Sequence, residues 1–133
     1  MTEWTVVAFE VAAVGMAWDR WGVDDGRPQA ALLAAFRYHG TPTPEHRAAL
    51  ETALAGARQS WLMALAAESA AVRAGRPPGA EVAAQDAACA VLSLGTALLT
   101  TGDEQATHLR NAFDHSCRAA RRFFQHHGGL RAG

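Results

Sequence analysis

A chain of 133 residues with a formal net charge of -1 and a pI near 6.6 has no excess of cations to draw it to nucleic acid or to an anionic membrane, so neither is expected as a partner. Half of the residues are hydrophobic but only 8% are aromatic, and so much of the apolar content is alanine that close-packed helices suit the composition better than a sheet sandwich. The length predicts one domain, 1–133, large enough to bury a core without metal or disulfide staples.

The two cysteines, Cys89 and Cys117, fall on different predicted helices with no CxxC or HxxxH company. They are expected to be reduced, buried thiols rather than a disulfide or zinc site. The opening "MTEW" carries an acid where a secretory signal would carry basic residues. The longest uncharged run, Ala87 to Gly102, falls short of the roughly 18 to 20 residues of a membrane span. These features predict a soluble, cytoplasmic protein.

Helix one is expected over Glu3 to Trp21. Trp4, Val7, Val11, Val14, Trp18 and Trp21 recur there at spacings of three and four, a seam that calls for a partner helix. Phe9 and Met16 lie on the far side, so this helix is apolar nearly all round and is expected to be central or to lie at an interface between subunits. Within "VVAFEVAAVGMAW" only Glu10 is charged. At 100° per residue it lies about 70° from the centre of the seam, which predicts a rim carboxylate reaching water or a neighbouring helix.

The loop "GVDDGRP" stops helix one, and Pro28 opens a short helix two reaching His39. Asp24, Asp25 and Arg27 in that loop suggest capping of helix two and a bridge from Arg27 to a carboxylate elsewhere. In "GTPTPEH", Thr43 is placed to cap a third helix, with Pro44 and Glu45 in its first turn, and this longest element is expected to run to Ala74. "GRPPG" at Gly75 to Gly79 is the firmest stop in the chain, because neither proline can donate to a helical ladder.

On helix three, Leu50, Leu54, Ala57, Trp61, Leu65 and Val72 form a narrow stripe, and Glu68 sits inside it. A carboxylate facing the core must be paired, hydrogen-bonded or protonated, since an isolated buried charge is too costly. Should Glu10 and Glu68 converge between helices one and three, they would form a ligand-binding pocket with Trp18 and Trp61 as its aromatic walls.

Helix four is expected over Ala80 to Thr101 and is uncharged from Ala87 onward. "TGDEQ" then opens helix five at Asp103, which ends in "RRFFQHHGG" with cations near its negative pole, and 128–133 read as a flexible tail. Helix five is given an apolar face of Leu109, Phe113, Ala120 and Phe124. His108 and His115 flank that face one heptad apart. Glu104, His108 and His115 offer an alternative ligand set for a metal, but the Glu-x-x-His pairs of a di-iron bundle are missing, and no metal or other cofactor is expected. No serine sits in a strained turn, and there is no glycine-rich phosphate loop or dinucleotide fingerprint. Four long helices and one short one, joined by short loops, predict an all-α antiparallel bundle.

The stretch "DDGRPQAALLAAFRYHG" resembles the Asp-Asp-x-Arg-Pro motif, followed by an alanine-rich helix, of small bacterial helical proteins described as immunity proteins. The match rests on Asp24, Asp25, Arg27 and Pro28, with "AAQDAACAVLSLGTALLTTG" a looser echo of the later helices. The resemblance implies binding of a toxin. The leading expectation is therefore a non-enzymatic helical module that binds a protein partner or a second copy of itself. The runner-up is a small-ligand or metal-binding bundle, or a small enzyme, built on Glu10 and Glu68 with His108 or His115.

Overall fold

The computed structural model describes residues 3–18 and 26–123. They form five helices: α1 Glu3–Trp18, α2 Arg27–Gly40, α3 Pro44–Arg73, α4 Ala80–Leu98 and α5 Gly102–Phe123. The all-α class and the helix-on-helix packing are as expected, and no helix among the described residues is long and apolar enough to cross a membrane. Asp19 to Trp21, expected to complete the first helix, and the 128–133 tail lie outside the described residues.

Local chemistry sets the boundaries. Gly26 precedes α2, and Pro28 sits in its first turn, where a missing N–H costs nothing. The Thr43 side chain accepts from the His46 N–H at 3.1 Å and caps α3. At the far end of α3 the Arg76 N–H donates to the Ala71 carbonyl and the Gly75 N–H to the Val72 carbonyl. This double closure needs a left-handed residue, and Gly75 supplies it at φ +74.

The junction of α4 and α5 differs from expectation. α4 ends at Leu98 rather than Thr101, and α5 begins at Gly102, φ +62. Gln105 explains the early stop: its Nε2 donates to the Ala97 carbonyl at 2.9 Å and to that of Thr100 at 3.3 Å. The first turn of α5 thus supplies a donor to carbonyls at and beyond the end of α4 that the helix leaves without an i+4 partner.

Side-chain pairings fix the directions. Arg27 touches α3 at Met63 while Tyr38 is met by Arg47, so α2 and α3 run antiparallel. Glu68 meets Gln85 and Leu54 meets Gly95, which makes α3 and α4 antiparallel as well. Asp86 meets His115 and Arg122 while Ala97 meets Gln105, and α4 and α5 follow the same rule. α4 packs against every other helix and is the central element.

The main core gathers Trp4, Val7, Val11, Leu50, Leu54, Val91, Leu94 and Leu109 with small alanines between them. The Trp4 ring stands edge-on to Phe36 and stacks on His39 at 4.3 Å, and its Nε1–H donates to the Leu94 carbonyl at 3.0 Å. Gly95 lets α3 come close, since a Cβ there would lie 2.5 Å from Leu54 Cδ2. A second, smaller cluster consists of Ala84, Ala87, Ala88 and Ala119, with Trp61, Ala64 and Ala120 against it.

Two expected core positions are corrected. Val72 is 59% exposed although its neighbour Ala71 is fully buried, so in the last turn of α3 the inward direction belongs to Ala71 and Val72, about 100° round the helix, faces out. Phe113 is 45% exposed. The inward face of α5 is instead Leu109, Ala112, Ser116 and Ala119, whose small side chains let the helix lie close to α4. Cys89 and Cys117 are free thiols as expected, but both are only half-buried.

Candidate functional site

Polar side chains tie α3, α4 and α5 together at one level of the bundle. Gln85 and Asp86 are consecutive on α4, so their side chains diverge by about 100° and reach different neighbours. Gln85 Nε2–H donates to Glu68 Oε1 on α3 at 3.0 Å. Asp86 faces α5, where its Oδ1 lies 3.1 Å from His115 Nδ1 and its Oδ2 accepts from Arg122 Nε–H at 3.0 Å. His115 and Arg122 are seven residues apart and therefore share one side of α5. Asp86 is nearly buried, and the two charge-assisted contacts compensate its lost hydration.

A carboxylate holding one imidazole nitrogen is also how a general base is oriented. A nucleophile must then face the other nitrogen, and the thiol one turn from Asp86 is poorly suited to that role. Burial first, and the Asp86 charge second, push the Cys89 thiol up from 9.0 to about 11, which disfavours the thiolate that nucleophilic chemistry requires. Ser116, which precedes Cys117, is fully buried with its Oγ lacking a hydrogen-bond partner among the described residues.

The expected site residues are dispersed. Glu10 is exposed on α1, whose main neighbours are α4 and α5, whereas Glu68 is half-buried on α3 and committed to Gln85. The two carboxylates thus have different surroundings. Trp61 is half-buried against the alanine cluster, and the Trp18 side chain lies outside the described residues. Glu104 is exposed in the first turn of α5, His108 is half-buried, and His115 is held by Asp86. Among the described residues no three such ligands come together to hold a metal.

Asp86 is the residue that sequence reasoning missed. The available signal was an acid in the otherwise uncharged "VAAQDAACAVL", the same anomaly that drew attention to Glu10.

Asp24 and Asp25 of the loop motif lie outside the described residues. Pro28 is buried. The Arg27 side chain runs across Gly56, with its carbons 3.6 to 3.7 Å from where a Cβ would stand, and its Nη2–H points at Met63 Sδ, 2.8 Å away. That contact leads onto an outward face of α3. Leu62 is 45% and Met63 58% exposed, and Ala66, Ala67, Ser69 and Ala70 continue the exposed surface. Against known proteins, the chain matches no family model, no curated sequence and no solved structure.

Proposed function

We propose that this protein is a non-enzymatic helical interaction module that docks a protein partner on the outward face of the second half of α3. The observation that carries the reading is the exposure of Leu62 and Met63 directly beside Arg27. Adjacent large apolar side chains left in water are the usual mark of an interaction site when they join a wider apolar surface. An immunity-like role, the binding of a toxin, is the partner class that the motif resemblance adds, because Arg27 belongs to that motif and borders this face. The dispersal of Glu10, Glu68 and His108 supports the interaction reading over the ligand-binding one.

Native mass spectrometry of the purified protein, with metal analysis of the same sample, tests the proposal. The expected result is the mass of the polypeptide alone, unchanged in Glu10→Gln and Glu68→Gln. A retained metal or small molecule that disappears in either variant overturns it.

A further inference from the structure

The charges around the α3 face favour one kind of partner. Numbered along the helix, Leu62, Ala66 and Ala70 follow at intervals of four, with Ser69 beside them and Met63 and Ala67 on one flank. At 100° per residue, Arg58 lies about 40° to one side of Leu62 and Arg73 about 20° to the other, so the same stripe ends in an arginine at both extremities. Both arginines are exposed. Fifteen residues of helix separate them, about 22 Å. Arg76 is exposed just beyond, and Arg27 stands at the Met63 edge. From Arg58 to Arg76 the only acid is Glu68, which is turned toward α4 and accepts from Gln85.

Resting on the interaction reading above, we infer that the partner contributes an amphipathic helix whose apolar stripe is framed by carboxylates about four turns apart. Leu62 and Met63 supply the bulky contacts, and the alanines beyond them let a second helix approach closely. The arginines pair with the partner's acids at the rim, where such charges govern encounter rate and orientation more than affinity. A second copy of this chain is the wrong occupant. An antiparallel pairing of two α3 faces about Ala66 sets Arg58 of one copy against the Arg73–Ala74 end of the other, and like charges meet at both ends. A single helix contact of this length is smaller than the roughly 800 Å² per partner of a standard interface. It therefore belongs with helix-in-groove recognition rather than with obligate assembly.

The probe is a fluorescein-labelled 22-residue helical peptide with leucines at i, i+4 and i+7 and glutamates at i−4 and i+11, the same fifteen-residue separation as Arg58 and Arg73. Its binding to the full chain is read by fluorescence anisotropy beside a twin peptide carrying lysines in place of the glutamates. The glutamate peptide is expected to bind, and the lysine peptide to bind at least about fivefold more weakly, the scale of two exposed ion pairs. The Arg58→Glu plus Arg73→Glu variant reverses that preference, and Leu62→Glu abolishes binding with the helical circular dichroism unchanged.

Equal binding of both peptides, no binding of either, or full binding by Leu62→Glu overturns the inference. So does a dimer of the free protein that Leu62→Glu converts to monomer. That last result replaces the foreign helix by a second copy and leaves the module reading standing. A metal or small molecule retained in native mass spectra and lost in Glu10→Gln or Glu68→Gln defeats the module reading itself.

Discussion

The half of the bundle around Trp4 and Leu94 and the half around Asp86 are held by different means. The first buries large side chains from four helices, with Leu50 and Leu94 fully buried and the indole of Trp4 hydrogen-bonded to a backbone carbonyl. The second packs α4 on α5 through alanines, and its directional contacts are Asp86 to His115 and Arg122 and Gln85 to Glu68. Alanine contacts remove little apolar area from water per residue. Large buried side chains give the first half its stability. Polar pairing gives the second half its register, because a carboxylate with partners at two fixed positions is satisfied in one alignment of the helices only.

Truncation in the first half breaks the comparison most directly. Leu94→Ala removes a fully buried side chain from the central helix, where the surrounding helices relax only in part. A loss of about 3 kcal/mol is expected in chemical denaturation. A loss below about 1 kcal/mol would mean that this core closes over the gap and is no more tightly built than the alanine half.

The second half responds to charge instead. Asp86→Asn keeps the shape but weakens both contacts to α5. Arg122 is 45% exposed and regains water on release, so the cost is about 1 kcal/mol rather than that of stranding a buried ion. Its signature is regional. Hydrogen exchange is expected to quicken in α5 from His115 onward while Trp4 to Val11 keep their protection. Faster exchange spread evenly over all helices would show that the polar contacts do not act on one half alone.

These two halves were unequally legible in the sequence. The seam of Trp4, Val7 and Val11 is buried as its spacing predicts, and Thr43, Pro44 and "GRPPG" bound α3 because capping and proline chemistry act locally. The polar contacts were hidden because they are made by residues 17, 29 and 36 positions apart. Helical periodicity reports a face and not its opposite number. Phe113 misled for a related reason: spacing arguments reward a large apolar side chain, whereas the approach of α5 to α4 selects Ala112, Ser116 and Ala119 and leaves the phenylalanine outside. The stripe of helix three places Glu68 inward, where pairing, protonation or a hydrogen bond is expected without a named partner, and the hydrogen bond comes from Gln85. Its supposed companion Glu10 was read at the rim and is exposed.

The smallest expected effect concerns Cys89, which sits one turn after Asp86 and senses both its burial and its charge. Its thiol is held up from 9.0 to about 11 in the folded protein, so between those values the folded chain keeps a proton that the unfolded chain has released. Folding stability from this source is fully present below pH 9 and is lost as the pH rises through about 11. Urea midpoints measured from pH 8 to 11 should therefore fall, and Cys89→Ala should flatten that fall. Because the Asp86 charge is the lesser cause, Asp86→Asn should flatten it only in part. A fall of the same steepness in Cys89→Ala would assign the alkaline loss to other groups and separate the thiol from the polar contacts beside it.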